Sequence, residues 1–214
     1  MKYSVVSLPD NSRAIAKESG WLRHSACAYL GLRPAAAQHT AAEHATLRKW
    51  AEGCKCIVEI GVAEGVSALA LREGMDQDGT LYLIDPFHLS RMPLLNFIKR
   101  VALRTVNIAA RGKVIWIERF SQDAVQGWKE PIDLILIDGD HAEDAVERDW
   151  LDWSRFVKPG GVVIFHDARI FENGWTTNDY GPVKLINRIF RGGTIEGWTI
   201  AEEIDSLFVV TRNK

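Results

Sequence analysis

Residues 132–141 have the sequence Ile-Asp-Leu-Ile-Leu-Ile-Asp-Gly-Asp-His. Five of the six residues from Ile132 to Ile137 are apolar, and two acids and a histidine follow closely. A short apolar run bounded by polar residues predicts a strand that is buried on both faces of a parallel sheet. Such a strand would bring Asp138, Asp140 and His141 together at the carboxyl edge of the sheet, where open α/β sheets bind ligands.

Similar apolar runs recur on both sides of this strand, separated by amphipathic stretches. The pattern predicts further strands at residues 56–60, 80–85, 113–118, 161–165, 197–201 and 206–211. It predicts helices at residues 67–73, 93–108, 121–128, 142–156 and 183–190. The last two strands are joined by too few residues for a parallel crossover, so they must pair antiparallel. The predicted fold class is α/β: a three-layer α/β/α sandwich with a seven-stranded, mostly parallel, Rossmann-like sheet and an antiparallel last strand.

Residues 1–53 differ from the rest of the chain, because they are rich in alanine and contain no strand-like run. We therefore predict a helical amino-terminal arm, followed by a main domain over residues 54–214. Thr40 and Glu43 have the spacing of a capping box, which predicts a helix running to about Glu52 and ending at Gly53. Two interpretations of the arm stay open: a helix packed on the sheet, or a lid over a binding site.

The composition excludes several classes of protein. The 214 residues carry 26 Lys and Arg against 28 Asp and Glu, a formal net charge of −2, so a basic nucleic-acid-binding surface is not expected. Hydrophobic residues at 47% exclude intrinsic disorder. No window approaches the roughly 20 apolar residues of a membrane span, and three cysteines cannot build a disulfide framework. We expect a cytoplasmic protein without a membrane or nucleic-acid partner.

A glycine-containing loop follows the first predicted strand. Residues 58–67 have the sequence Val-Glu-Ile-Gly-Val-Ala-Glu-Gly-Val-Ser, in which Gly61 permits a tight turn and Gly65 permits a close helix start. Ala63 stands where a dinucleotide-binding loop has its middle glycine, and this argues against a nicotinamide cofactor. Glu59, inside the strand, would repel a pyrophosphate but suits a cationic amino group.

Further acids and a histidine follow other predicted strands. Asp85 ends the second strand, where an acid can hydrogen-bond ribose hydroxyls. His166 and Asp167 end the fifth strand, beside Asp138. Carboxylates of this kind suit Mg²⁺, and an added imidazole would allow Mn²⁺. Helix capping is the alternative explanation for single acids after strands, but it does not explain four ionisable groups at one edge.

These motifs together resemble the class I S-adenosylmethionine-dependent methyltransferases. The similarity covers about residues 40–212 and is carried by the Glu59 to Gly65 loop, Asp85, residues 137–141 and the Lys-Pro-Gly-Gly sequence at 158–161. With the His-Asp pair at 166–167, the series is similar to the divergent subgroup of macrolide-sugar and aminocoumarin-sugar O-methyltransferases. The resemblance implies a last strand inserted antiparallel beside the fifth.

The resemblance also implies roles for individual residues. Glu59, Gly61 and Gly65 would line the methionine end of S-adenosylmethionine, Asp85 would hold the ribose, and Ser121 and Gln122 would border the adenine. Ser67 and Asp138 would also bind the cofactor. A divalent cation, Mg²⁺ or Mn²⁺, would be held by Asp138, His166 and Asp167. His166 departs from the subgroup, which has an acid at this position, so the identity of the metal and the need for one stay open. His141 or Asp140 would be the base that takes the acceptor's proton, with His141 preferred.

The predicted function is transfer of a methyl group to a hydroxyl of a sugar or glycoside. The segment 169–180 follows the fifth strand and contains Trp175 and Tyr180, which could contact a sugar ring. Catechol-like phenols are alternative acceptors. A nicotinamide-dependent oxidoreductase and a non-catalytic cofactor-binding protein are the alternatives from other classes. Aromatic residues of the arm could pack on a second subunit or fold back on the sheet, so a homo-oligomer stays open.

Overall fold

The computed structural model describes residues 18–87, 96–193 and 195–214, with the backbone alone for residues 18–22. Within these ranges the chain alternates strands and helices. The strands are β1 (Cys56–Ile60), β2 (Thr80–Ile84), β3 (Lys113–Ile117), β4 (Ile132–Ile137), β5 (Val157–Phe165), β6 (Trp198–Ile204) and β7 (Leu207–Arg212). The α-helices are α1 (Glu18–Tyr29), α2 (Ala41–Trp50), α3 (Val66–Gly74), α4 (Phe97–Val106), α5 (Ser121–Ala124), α6 (Glu143–Trp153) and α7 (Gly181–Ile186).

The described strands form one seven-stranded sheet in the order β3-β2-β1-β4-β5-β7-β6. The strands from β3 to β5 are parallel, and Ile60 on β1 lies opposite Ile84 on β2 and Ile137 on β4. β7 pairs antiparallel with both β5 and β6. The predicted fold class, including the antiparallel strand beside β5, is confirmed. The strand order reverses between β1 and β4, which places a ligand-binding crevice above their carboxyl ends.

Helices cover both faces of the sheet, as the uninterrupted apolar strands predict. Neighbouring residues of β1 belong to opposite cores: Ile57 packs with Leu71 of α3, and Val58 packs with Trp153 of α6. All four side chains are fully buried. This alternation is the geometry of a strand with both faces covered.

The amino-terminal arm is fastened to the main domain through a buried acid. α2 begins with the predicted capping box: Thr40 Oγ1 accepts the N–H of Glu43 at 3.1 Å, and Glu43 Oε2 accepts the N–H of Thr40 at 2.7 Å. Glu43 Oε1 accepts from the backbone N–H and the hydroxyl of Ser206 at 2.7 and 2.6 Å. The cap of α2 therefore also anchors the turn between β6 and β7. α2 ends at Trp50, slightly before the predicted Glu52.

β5 begins earlier than predicted, at Val157 instead of Gly161. Its regular pairing with β4 begins only at Val162, after a register shift. Pro159 lacks an N–H, and Gly160 has a φ of 80°, so the first part of the strand leaves the ladder. The apolar pattern detects only the regularly paired part, which explains the later predicted start.

Several helices are shorter than predicted or change their winding. α5 is a single turn, residues Ser154–Phe156 after α6 form a 3₁₀ turn, and residues Asn187–Arg191 after α7 form a π-helical turn. α4 is described from Phe97, and residues 93–95 of its predicted range lie outside the described residues. Among the described helices, none combines the length and the apolar character needed to cross a bilayer.

Asp133 is a polar residue inside the β4 run, and replacing it should lower stability in a pH-dependent manner. Its Oδ2 accepts from the backbone N–H groups of Lys55 and Cys56 at 2.6 and 2.8 Å, and its Oδ1 pairs with Lys158. Although burial opposes ionisation, these partners hold the pKa of Asp133 below its usual value. We expect Asp133→Ala to lower the free energy of unfolding by about 2–3 kcal/mol at pH 7, because backbone donors lose their acceptor.

The sign of the pH effect follows from the lowered pKa. Stabilisation by the carboxylate is fully present above the unfolded-state pKa of about 3.9 and is lost as the pH falls further. Urea unfolding at pH 7 and pH 3.5 should therefore show a smaller difference between Asp133→Ala and wild type at the lower pH. Asp78→Ala, at an exposed acid before β2, is the control and should stay within about 0.5 kcal/mol of wild type. An equal effect of both substitutions would contradict the assigned role.

Candidate active site

A cleft of about 730 Å³ opens at the carboxyl ends of the parallel strands. Its walls come from the loops after β1, β2, β3 and β4, and the arm contributes Ala36, Gln38 and His39. Nine of the twelve predicted site residues line it: Gly61, Gly65, Ser67, Asp85, Ser121, Gln122, Asp138, Asp140 and His141. The volume lies within the range of small-molecule and cofactor sites.

The two glycines of the loop after β1 are required by the packing of the protein itself. Gly61 has a φ of 85°, and a Cβ there would lie 2.0 Å from the carbonyl oxygen of Asp138. A Cβ on Gly65 would lie 2.9 Å from a methyl group of Val106 and 3.2 Å from Ala102, both on α4. Gly65 therefore permits close packing between α3 and α4, and it also lines the cleft.

Glu59 lies beneath the loop and is not among the cleft-lining residues of the described structure. The side chain is fully buried, and its Oε1 accepts the hydroxyl of Ser67 at 2.5 Å. Burial raises the pKa of Glu59 well above its usual value, and the nearby Asp138 and Asp85 add to the shift. Ser67 does line the cleft, so the geometry makes Glu59 a positioning residue behind Ser67 instead of a lining residue.

Asp85 holds the loop together from the end of β2. Its Oδ2 accepts from the backbone N–H groups of Val62 and Ala63 at 2.9 and 3.1 Å, and its Oδ1 accepts from Phe87 at 2.7 Å. A carboxylate has about four acceptor positions, so one remains for a ligand hydroxyl. Ala63 has a φ of 45°, a left-handed conformation that usually favours glycine.

At the β3 end of the cleft, the structure reveals an acid that the sequence analysis missed. Asp149 of α6 lines the cleft and accepts the hydroxyl of Ser121 through its Oδ1. Burial raises the pKa of Asp149 to about 6. One signal was available: Val146, Asp149, Trp150 and Trp153 follow the i, i+3, i+4, i+7 spacing of the buried face of α6, where an acid is unusual.

His141 and Asp167 form a hydrogen-bonded pair at the other end. His141 Nε2 lies 2.8 Å from Asp167 Oδ2, and Asp167 Oδ1 accepts the indole N–H of Trp175 at 2.6 Å. Asp167 has a φ of 52°, so its backbone is strained where its carboxylate meets both partners. The hydrogen bond with Asp167 raises the pKa of His141. His141 lines the cleft while Asp167 lies behind it, as in a base held by a carboxylate.

His166 lies deeper, as a buried residue among carboxylates. Its Nδ1 is 3.1 Å from Asp138 Oδ1 and 3.3 Å from Asp167 Oδ1, and its Nε2 is 3.8 Å from Glu43 Oε2. Although burial favours the neutral ring, the charges of Asp138 and Asp167 raise the pKa of His166 well above its usual value. The position of the ring between these acids therefore favours its charged form.

One group of potential metal ligands is present among the described residues, and it differs from the predicted one. Asp138, His141 and Asp167 each offer a ligand atom, and these atoms lie within 4.8 Å of one another. The predicted set contained His166 in place of His141. His141 borders the cleft whereas His166 is buried behind it, so His141 is the more accessible imidazole ligand.

Asp140, the second base candidate, lines the cleft and also makes a hydrogen bond within its own loop. It is exposed, and its Oδ1 accepts the backbone N–H of Ala142 at 3.0 Å, immediately before α6. This bond is typical of an acid that closes a turn before a helix.

The arm is connected to the glycine-containing loop after β1 through Glu64, which the sequence analysis did not single out. Glu64 is fully buried, and its two oxygens accept from Ser25 Oγ at 2.5 Å and from the backbone N–H of Ala36 at 2.6 Å. His24 Nε2 lies 3.6 Å from the same carboxylate. The segment around Ala36 thus closes one side of the cleft; its action as a lid stays a prediction.

The segment after β5 supplies two aromatic residues near the His141–Asp167 pair. One of them, Tyr180, lies beside the pair, and the other, Trp175, packs inside the segment. The Tyr180 ring meets His141 edge-on at 5.9 Å between ring centroids. Trp175 donates to Asp167 and packs at 5.1 Å against Phe171, so it supports the site from within. Gly181 donates its backbone N–H to the carbonyl of His141 at 3.1 Å, which fixes the segment to the loop after β4.

Comparisons with known proteins identify relatives for about half of the chain. The chain is 33% identical over 120 residues to a protein named "Putative O-methyltransferase" from Mycobacterium sp. (strain JLS), which is 54% of this chain and 50% of that protein. A protein of the same name from Mycobacteroides abscessus is 34% identical, over 54% of this chain and 51% of that protein. The chain therefore spans about half the length of the curated relatives it matches.

Solved structures share the fold over nearly the whole chain. The O-methyltransferase TomG of Streptomyces achromogenes, involved in tomaymycin synthesis and solved with S-adenosylmethionine, gives a TM-score of 0.61 at 15% identity over 98% of this chain and 93% of that one. A Bacillus cereus O-methyltransferase solved with S-adenosylhomocysteine gives 0.57 at 20% identity over 94% of both chains. Residues 58–168, just over half of the chain, match the methyltransferase domain family. The chain belongs to this family and has the fold of the class I S-adenosylmethionine-dependent methyltransferases.

Proposed function

We propose that the protein transfers a methyl group from S-adenosylmethionine to a hydroxyl oxygen of a small molecule, with a sugar or glycoside as acceptor. The observation that carries the proposal is the cleft at the strand ends, which places the His141–Asp167 pair and the Asp85–Ser121 region at its two ends. Membership of the methyltransferase domain family and the names of the relatives support the same reaction.

The residues around the cleft fit an amino-acid-bearing nucleoside. Asp138 and Ser67 offer a carboxylate and a hydroxyl near the glycine loop, which suit the charged methionine end. Asp85 keeps one acceptor position for a ribose hydroxyl. Ser121 and Gln122 border the far end, where the base would lie. The backbone N–H groups of Val62 and Ala63 already donate to Asp85, so they are not free to bind the pyrophosphate of a nicotinamide dinucleotide.

When bound, S-adenosylmethionine supplies the electrophilic methyl group. The chain has to hold the acceptor oxygen in line with that methyl and remove its proton. His141 is placed to take the proton, because it faces the cleft and Asp167 orients its ring and stabilises its charged form. The methyl–oxygen bond forms as the methyl–sulfur bond breaks, and the proton passes from the hydroxyl to His141.

The acceptor would enter next to Tyr180. Its ring faces His141, and its hydroxyl could contact a sugar ring or a phenol. The cleft is rich in acids, including Asp140 and Asp144, which suits the hydroxyl donors of a polyol. A catechol-like phenol is the second acceptor class, since the same base would serve it.

The test combines binding with turnover. Titration calorimetry should show binding of S-adenosylhomocysteine in preference to NADH, and a screen of glycosides and phenols should release S-adenosylhomocysteine from S-adenosylmethionine with at least one acceptor. A protein that binds NADH and not S-adenosylhomocysteine would overturn the proposal. Binding of S-adenosylhomocysteine without transfer to any hydroxyl would reduce it to a non-catalytic binding protein.

A divalent cation is a separate part of the proposal. Two carboxylates and one imidazole, from Asp138, Asp167 and His141, match the ligand preferences of Mn²⁺ and related ions. When bound, such an ion would lower the pKa of an acceptor hydroxyl. The ring of His166 contacts the same two acids and competes with a cation for them, so weak binding is expected.

Calorimetric titration with Mn²⁺ in the presence of S-adenosylhomocysteine should show weak binding, which Asp167→Asn weakens by at least about tenfold because one ligand loses its charge. Asp179→Asn, whose side chain is 96% exposed, is the control and should bind as wild type does. If Mn²⁺ binds and accelerates transfer, His141 serves as a ligand and Asp140 becomes the base. If no Mn²⁺ binds at millimolar concentration, the proposed cation site is rejected and the methyl-transfer proposal stands.

A further inference from the structure

Asp149 is a buried acid that has no role in the proposed methyl transfer. It is only 6% exposed, yet it forms part of the cleft wall. Ser121 occupies its Oδ1. Among the described residues no donor is within hydrogen-bond distance of Oδ2, although Oδ2 is not sealed inside the protein. The cleft thus contains one carboxylate oxygen that is held in place and available to a ligand.

The position of Asp149 Oδ2 places it near the expected adenine end of the cofactor. Oδ2 faces Gly139 after β4, since a Cβ built on that glycine would lie 3.5 Å away. Ser121, on the other side, follows β3. Asp85 follows β2, which lies between β3 and β1 in the sheet, and it occupies the predicted ribose position. A base attached to that ribose would therefore lie against Ser121, Gly139 and Asp149.

The chemistry of Asp149 Oδ2 determines which group of the adenine it can bind. A carboxylate oxygen accepts hydrogen bonds, and adenine carries a single donor group free of its glycosidic bond, the exocyclic 6-amino group. Burial makes a bond to a charged acceptor stronger than one at the surface. We infer that Asp149 recognises the 6-amino group of the cofactor's adenine through Oδ2, with Ser121 fixing the carboxylate through Oδ1. The inference rests on the proposed function.

The raised pKa of Asp149, about 6, agrees with an acid that is removed from water and whose hydrogen-bond partner among the described residues is the Ser121 hydroxyl. Arg148 lowers this pKa, whereas Asp152 and Asp140 raise it. At pH 7.5 and above, Asp149 is therefore a carboxylate, and binding experiments at that pH measure its acceptor form.

The experiment compares two ligands and three proteins by calorimetry at pH 8. The ligands are S-adenosylhomocysteine and its analogue with hydrogen in place of the 6-amino group. Wild type should bind S-adenosylhomocysteine about 10- to 100-fold more tightly than the analogue, the effect of one hydrogen bond to a charged group. In Asp149→Ala this preference should fall to about twofold or less. Asp152→Ala, on the same helix but outside the cleft lining, should keep the wild-type preference.

Each outcome decides the matter. Equal wild-type binding of both ligands would overturn the inference, as would a preference that Asp149→Ala leaves intact, because another group would then read the amine. No binding of either ligand to wild type would overturn the proposed function together with the inference. If Asp149→Ala does not fold, Asp149→Asn keeps the shape and a neutral acceptor, and its preference should lie clearly below the wild-type value.

Discussion

Replacing His141 with alanine should lower the maximal rate of methyl transfer by about 10²- to 10⁴-fold, the usual contribution of a general base. The affinity for S-adenosylhomocysteine should change by only a few fold, because Asp138, Ser67 and Asp85 remain in place. The measurements are the turnover number at saturating acceptor and the dissociation constant of S-adenosylhomocysteine by calorimetry. A turnover number within threefold of wild type would remove His141 from the proposed mechanism.

The physical reason lies in the pairing of His141 with Asp167 at 2.8 Å. A sugar hydroxyl is a poor nucleophile until its proton has a place to go. The carboxylate behind the ring raises the pKa of His141 and so stabilises the imidazolium that forms during transfer. Alanine leaves a space that water can occupy, but water is a much weaker base.

Two companion experiments separate a base from a metal ligand. Added imidazole should restore part of the activity of His141→Ala if the lost group is a base, without any added metal. Asp140→Asn should have a far smaller effect than His141→Ala, because Asp140 is exposed and bonded to the backbone of Ala142. Rescue by Mn²⁺ and not by imidazole, or a larger loss of activity in Asp140→Asn than in His141→Ala, would identify Asp140 as the base.

The sequence predicts the centre of the sheet well, because its signals are local. β1 and β4 have the predicted bounds, since continuous apolar runs end abruptly at glycine or acid. The short connection before β7 requires an antiparallel hairpin whatever the rest of the fold. Register and strand order then bring Asp138, His141, His166 and Asp167 to one edge of the sheet, but they do not decide which histidine joins the two acids as a ligand.

The buried acids could not be assigned from the sequence, because their partners lie far away along the chain. Glu43 has the local signature of a cap, but its second contact is with Ser206, 163 residues later. Glu64 bonds Ser25, 39 residues earlier. Such contacts depend on how the helices pack on the sheet, which a periodic pattern does not encode. Asp149 was the exception, since its place on the apolar face of α6 was visible in the sequence.

The sequence also could not decide whether His141 or His166 joins the acids as a potential metal ligand. The sequence places both His141 and His166 at the carboxyl edge, and one can exchange them without violating any local rule. Their burial separates them: His166 is 4% exposed among three carboxylates, while His141 borders the cleft. The surrounding acids favour the charged form of the buried His166, whereas His141 at the cleft can exchange a proton with a ligand.

Gly61→Ala is expected to cause the largest loss of stability of any single methyl addition in the site. The new Cβ would lie 2.0 Å from the carbonyl oxygen and 2.6 Å from the carbonyl carbon of Asp138, and backbone atoms cannot rotate away. The φ of 85° adds left-handed strain. Together these should lower the free energy of unfolding by about 3–6 kcal/mol, or the melting temperature by about 10–20 °C.

A matched control separates the two causes. Gly53 has a φ of 73° with no atom within 4 Å of its added Cβ, so Gly53→Ala introduces the strain without the overlap. It should lower the free energy of unfolding by only about 1–2 kcal/mol. The difference between the two variants in thermal unfolding measures the contact between the β1 loop and the β4 end. Equal melting temperatures would show that this contact yields easily.

The same contact links stability to the chemistry of the site. The carbonyl of Asp138 and the loop at Gly61 pack against each other where the carboxylate of Asp138 meets His166. If Gly61→Ala folds at low temperature, the β4 end must shift by more than an ångström to admit the methyl. Asp138 and His141 would then lose their geometry together, so binding of S-adenosylhomocysteine and methyl transfer should both fail in a protein that is still folded. Gly53→Ala should retain both, because its methyl lies far from the cleft, at the end of α2.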